Sequence, residues 1–208
     1  VDMTNSGLTV KDRFTQLYNG DGAVWKIDNT TSAIKKTILF DYAEILPVSE
    51  SQIASPNNAY NYVNMECGSA FYIRNSDVDI EYVGHEGDRA RIGGLFVVED
   101  GNMGIGRDGQ NGGKVKILDC GQVLLYDTDN SGDAIMNVYG VGGTTFDVEG
   151  TLYTMGLVAS STNSGSKFTI KDGALVFVGD MGATLPGYSW QYQINVESGG
   201  TLNYCGNR

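Results

Sequence analysis

The feature that most constrains this chain is a phrase it keeps repeating: an alternating run, usually an acidic residue, a glycine, then a second alternating run. It reads "VNMECGSAFYI" near residue 68, "FVVEDGNMGI" near 101 and "VKILDCGQVLLY" near 121, then "FDVEGTLYT" near 150, "FTIKDGALVFVGD" near 173 and "INVESGGTLNY" near 200. Taken singly, Asp172-Gly173 between two apolar runs is a hairpin signal. Taken together, the copies share a phase. Two residues after Gly68, Gly101, Gly121, Gly150, Gly173 and Gly200 stand Ala70, Met103, Val123, Leu152, Leu175 and Leu202. Four residues after them stand Tyr72, Ile105, Leu125, Thr154, Phe177 and Tyr204. All but Thr154 are apolar or aromatic at the strand period of two.

A hairpin array has no reason to repeat one phrase every 20 to 33 residues. A coiled solenoid has, because each turn presents the same inward side chains to the turn below. The expected fold is therefore all-β: a parallel β-helix, right-handed by the crossover rule, with each anchor glycine at a corner between two strands. The runs "DVDIEYVG" at 77–84 and "AIMNVYG" at 134–140 would supply a third side. The competing architecture is a β-sandwich of similar hairpins.

Ahead of the repeat, "LTVKDRFTQLY" places Val10, Phe14, Leu17 and Tyr18 at helical spacing behind Thr9. This predicts a short amphipathic helix capping the open end of the solenoid. "AVWKI" and "KKTILFDYAEIL" read as strands of degenerate first coils, and "PVSESQIASPNNAYN" as a surface loop. The organisation expected is a cap with degenerate coils over 1–62 and regular coils over 63–208, one continuous domain. The chain starts at Val1, which suggests a processed product or an excised segment, and it stops directly after a good repeat.

The phrases "FTIKDGALVFV" and "FDVEGTLYT" resemble the coils of pectate-lyase-like right-handed β-helices and the repeats of exported bacterial and archaeal adhesins and surface proteins. The resemblance covers about residues 63 to 206 and is one of architecture. It implies either polysaccharide-degrading enzymes or surface adhesion and envelope-building proteins.

A net charge of −11 leaves no basic surface to track phosphates, which argues against a nucleic-acid partner. No apolar run is long enough to span a bilayer. The single histidine makes Ser/His or Cys/His catalysis improbable. In "DVDIEYVGHEGDRAR", outward Asp77, Asp79 and Glu81 with His85, Arg89 and Arg91 could form a cation-and-base site, but outward carboxylates on a solenoid are ordinarily just its solvated face. No catalytic residue is assigned.

A more specific signal is "DTDNSGD". Asp127, Asp129, Ser131 and Asp133 with Gly132 match the first half of an EF-hand-type loop, while Val138 replaces the bidentate glutamate. No cofactor is required. A structural calcium ion is the candidate if another coil completes the shell, and an Asx-rich turn is the alternative.

Cys67, Cys120 and Cys205 are odd in number. Cys67 and Cys120 share a phase, but with the Gly101 coil between them they would stand about 9–10 Å apart, beyond disulfide reach. All three are therefore candidates for intermolecular bridges, the alternative being buried or idle thiols. Tyr188, Trp190 and Tyr192 alternate in "YSWQYQ" and could stack on sugar rings, or equally face the core.

The expected function is that of an exported structural protein of a microbial cell surface, extracellular and acting by self-assembly or adhesion rather than as an enzyme. The alternative is a carbohydrate-active or carbohydrate-binding β-helix. Expected partners are further copies of itself or surface polysaccharide.

Overall fold

A computed structural model of the chain shows a solenoid of stacked parallel strands. It describes residues 2–4, 8–11, 16–18, 24–28, 36–41, 44–46, 63–65, 67, 70–80, 88–105, 114–140, 145–161, 167–181 and 193–205. Strands are numbered in chain order. One side stacks β1 (Asp2–Thr4), β4 (Val24–Asp28), β8 (Ala70–Arg74), β11 (Leu95–Glu99), β14 (Gln122–Tyr126), β17 (Thr151–Ser161), β19 (Leu175–Met181) and β21 (Thr201–Tyr204). A second side stacks β2 (Leu8–Lys11), β5 (Lys36–Asp41), β9 (Ser76–Ile80), β12 (Met103–Ile105) and β15 (Ile135–Gly140), ending on the second half of β17. The third side stacks β7 (Val63–Met65), β10 (Asp88–Ile92), β13 (Lys114–Ile117), β16 (Thr145–Val148), β18 (Lys167–Ile170) and β20 (Gln193–Val196). The last two strands, β3 (Gln16–Tyr18) and β6 (Glu44–Leu46), pair with each other.

β18 and β19, the two halves of "FTIKDGALVFVGD", do not pair with each other as a hairpin would. β18 pairs in parallel with β16 and β20, and β19 with β17 and β21. The strands expected in "AVWKI" and "KKTILFDYAEIL" are β4, β5 and β6, and β4 and β5 join the regular coils by pairing with β8 and β9. The helix expected over "LTVKDRFTQLY" is replaced by β2 and β3. Val10 and Leu17 suit either period, and a parallel partner strand supplies backbone hydrogen bonds that a short isolated helix must make alone.

The core is made of rungs, each a column of like positions. Phe71, Phe96, Val123, Leu152 and Val176 form one column on the first side, and Ile73, Val98, Leu125, Thr154 and Val178 the next; all are buried. Phe71 stacks on Phe96 with ring centroids 5.7 Å apart, and on the third side Phe146 meets Phe168 edge-on at 4.9 Å. Such burial contributes about 2–3 kcal/mol per phenylalanine. Thr154 is the polar exception. Its hydroxyl donates at the corner, with the carbonyls of Ala134 (2.8 Å) and Gly156 (2.7 Å) in reach.

Three corrections to the expected phase follow from the register. In the coil of β8 the inward residues are Phe71 and Ile73, so Ala70 and Tyr72 face outward. Gly121, Gly150, Gly173 and Gly200 lie at corners leading into the first side, but Gly101 lies at the corner leaving it, between β11 and β12. The true counterpart in that coil is Gly93-Gly94. Moreover, Leu152 pairs with Val176, not with Leu175. Val176 and Val178 face inward, whereas Leu175 and Phe177 point out of the solenoid. The glycine's place within its corner explains the slip at β19: Gly173 is the third of the four residues between β18 and β19, whereas Gly121, Gly150 and Gly200 are the last residues of theirs. The tight corner at Gly150 needs glycine for space, because a Cβ there would run into the carbonyl oxygens of Gly121 and Leu118.

Candidate functional site

The first side carries every described feature that bears on function, at its two corners and on its outer face. At the corner entering it, Cys67 and Cys120 form a disulfide, with Cα atoms 5.7 Å apart across 53 residues of sequence. This overturns the expectation that the two are unpaired within the chain. The intervening coil turns through the two-residue corner Gly93-Gly94, with Gly94 at φ +67. Cys67 and Cys120, from the coils on either side of it, reach each other across this corner. Leu118 and Gln122 frame it from one side, their amides donating to the carbonyls of Ile92 (2.9 Å) and Gly94 (2.7 Å). Cys205 is a free, exposed cysteine.

At the corner leaving this side, Asn75 and Asp100 take left-handed backbone, a conformation Asn and Asp tolerate better than most residues. Asn102 ties three coils together there. Its amide and side-chain nitrogen donate to Asp77, its Nδ2 also donates to Asp133 (3.2 Å), and its Oδ1 accepts from the amide of Ile135 (3.1 Å). In the coil of β14 and β15 this corner expands into the excursion "DTDNSGD". Asp127 accepts from the amides of Ser131 and Gly132, Asp129 from that of Ser131, and Asp133 from the Ser131 hydroxyl.

Asp127 and Asp129 stand beside buried Asp100 of the preceding coil, one oxygen of each lying within 4.8 Å of the others. That separation fits three ligands of one oxygen-bound cation, whose bonds run about 2.3–2.6 Å for calcium. Ser131 and Asp133 lie in the same excursion, joined by a hydrogen bond, and Asp100 is a member that sequence spacing did not show.

Above this corner a second cluster lies on the outer face. Glu99, 5% exposed, accepts hydrogen bonds from Tyr72 (2.7 Å), Tyr126 (3.0 Å) and Arg74 (2.6 Å), and the two tyrosine hydroxyls are 2.7 Å from each other. Burial opposes ionisation of Glu99, but the three donors outweigh it and hold its carboxyl below the usual range. Burial and the bonds to Tyr72 and Glu99 push the Tyr126 hydroxyl well above its ordinary value. The group is a hydrogen-bonded network centred on the Glu99 carboxylate. Register explains why it escaped sequence reading: Arg74, Glu99 and Tyr126 are neighbours only because β8, β11 and β14 stack in step.

Below it the outer face becomes apolar. Tyr153 is 39% exposed, Met155 43% and Leu175 42%, and the rings of Tyr153 and Phe177 are 6.3 Å apart. By contrast, the outer face of the third side is charged, with Lys116 paired to Glu149 and Lys171 to Glu197.

Of the remaining expected residues, Tyr188, Trp190 and Tyr192 lie outside the described residues, as do Glu81 and His85. Asp77 is engaged by Asn102. No family model, curated protein or solved structure matches this chain. Its chemistry is therefore argued from its own geometry.

Proposed function

We propose that the chain is a structural solenoid of an extracellular or cell-surface assembly, acting by association rather than turnover. The observation that carries this reading is the Cys67–Cys120 bridge. Such bonds persist in oxidising compartments, and this one staples coils two apart in a body already held by continuous parallel ladders, giving a stiff rod suited to bearing load. A calcium ion at Asp100, Asp127 and Asp129 would brace the opposite corner of the same side. The exposed Cys205 thiol is a candidate joint between copies.

Electron microscopy of the native material, with and without calcium and reductant, tests the reading. Ordered filaments, sheets or tubes are expected; dispersed monomers under every condition would overturn it. The runner-up, a carbohydrate-binding solenoid, draws on the exposed Tyr153 ring and the half-buried Phe177 ring beside it, whose faces suit sugar stacking. Retention on a panel of neutral polysaccharides by a monomeric protein would favour it.

A further inference from the structure

We infer that the corner where Cys67, Asp119 and Cys120 meet is a redox-gated metal site: when the bridge is reduced, the two thiolates and the Asp119 carboxylate hold a zinc-class divalent cation. The inference goes beyond the assembly reading and does not rest on it.

The Sγ atoms of Cys67 and Cys120 and a carboxylate oxygen of Asp119 all lie within 4.8 Å of one another. Ligand atoms around one tetrahedral zinc stand about 3.5–3.8 Å apart at ordinary Zn–S and Zn–O bond lengths. Breaking the S–S bond lets the two sulfurs part from bonding distance toward that separation, and Cα atoms 5.7 Å apart put both within reach of one ion.

The corner does not depend on the bridge for its shape. The Leu118 and Gln122 amides donate to the Ile92 and Gly94 carbonyls of the neighbouring coil, and the Gly121 amide closes back on the Leu118 carbonyl (2.7 Å). Cys67 stands between β7 and β8, which pair with β10 and β11. Asp119 accepts the Cys120 amide at 2.8 Å, which holds its carboxylate at the bridge. Backbone ladders on both sides therefore keep the two sulfurs neighbours once the bond is broken.

Donor chemistry selects the ion. Thiolates favour soft and borderline metals, and a carboxylate oxygen as third ligand suits zinc better than copper(I). The thiolate is the sulfur species that binds metal, so bridge and metal exclude each other. A two-electron reductant such as a dithiol switches the site. The S–S bond breaks, the dithiol closes to its own disulfide, and its two hydrogens pass to Cys67 and Cys120. Metal binding then displaces both protons. Cys67 and Asp119 are exposed and Cys120 is half-buried, so reductant and ion both have access, and the fourth tetrahedral position falls to water. Bound zinc ties together the same two coils as the bridge, so the corner is stapled in reducing and oxidising surroundings alike.

Cobalt(II), which reports thiolate ligation by a charge-transfer absorption band, tests this in the whole chain carrying Cys205→Ser, where Cys67 and Cys120 are the remaining cysteines. After reduction by a phosphine, itself converted to the phosphine oxide, cobalt is expected to develop the band at one ion per chain and zinc to displace it. The oxidised chain develops none, and Cys67→Ser and Cys120→Ser each lose it. Asp119→Asn loses roughly tenfold or more in cobalt affinity, since even the outer-shell partners of metal ligands are worth that much. Asp127→Asn, at the other acidic corner, binds as before. Zinc raises the melting temperature of the reduced chain more than that of the oxidised one. No band in the reduced chain, a band undiminished in either serine variant, or unchanged affinity in Asp119→Asn would overturn the site. So would a band that survives in urea, because the metal would then be held by two cysteines of an unfolded chain rather than by this corner.

Discussion

Cys67 and Cys120 belong to coils separated by a third, and yet their Cα atoms are 5.7 Å apart, because the coil between them turns on Gly93-Gly94 while its neighbours use corners two residues longer. Closing a loop of this length removes denatured-state entropy worth about 4 kcal/mol in the chain-entropy model. Reduction, or Cys67→Ser, is expected to lower stability by roughly that amount. Urea unfolding with and without dithiothreitol reads it directly, and coincident curves would count against the bridge. Gly94→Ala is expected to cost about 1 kcal/mol, because Gly94 sits at φ +67.

The Glu99 network makes stability depend on pH at both ends. The folded Glu99 carboxyl lies below its unfolded value. Its contribution is therefore complete above the unfolded pKa of about 4.3 and is lost as pH falls through the folded value. Tyr126 is raised, so its contribution is complete below about 10 and declines as pH rises beyond that. Melting temperature against pH should show a plateau between these limits. In Glu99→Gln the acid limb should be shallower. Glu99→Ala, which strands two hydroxyls and a guanidinium, should cost about 2–3 kcal/mol.

Thr154 fills a core column otherwise made of Ile73, Val98, Leu125 and Val178. Thr154→Val keeps the shape and removes one donor. The Ala134 carbonyl keeps its bond from the Met155 amide (3.0 Å), so a loss of about 1 kcal/mol or less is expected. Phe146→Ala, by contrast, empties the rung shared with Phe168 and should cost about 3–5 kcal/mol. Equal effects in a denaturant series would refute the assignment of Thr154 to a satisfied corner.

If calcium binds at Asp100, Asp127 and Asp129, millimolar calcium should raise the melting temperature in a concentration-dependent way, as any ligand of the folded state does. Asp129→Asn should abolish the increment with little effect on the calcium-free protein, since Asp129 is exposed and an asparagine oxygen can still accept from the Ser131 amide. Asp100→Asn is a poorer probe, because Asp100 also holds the Thr128 amide and hydroxyl. A calcium response that survives Asp129→Asn would place the ion elsewhere.

The sequence by itself determined the architecture: a shared phrase at period two, broken by glycine, can bury its apolar positions in every copy at once only by stacking on itself. It also determined the strand nature of "AVWKI" and "KKTILFDYAEIL". Only the tertiary structure decided phase. A one-residue change in corner length exchanges the two faces of a strand, and in "ALVFV", where both faces are apolar, alternation cannot say which set is inside. The same limit hid the disulfide, since strand spacing alone placed Cys67 and Cys120 too far apart, and the recess at Gly93-Gly94 that unites them is a property of three corners compared. It hid Glu99, Tyr72 and Tyr126 as well, and the nearness of Asp100 to Asp127 and Asp129. Contacts between coils depend on register, and register is set by corner lengths summed around each turn, which no local stretch of sequence contains.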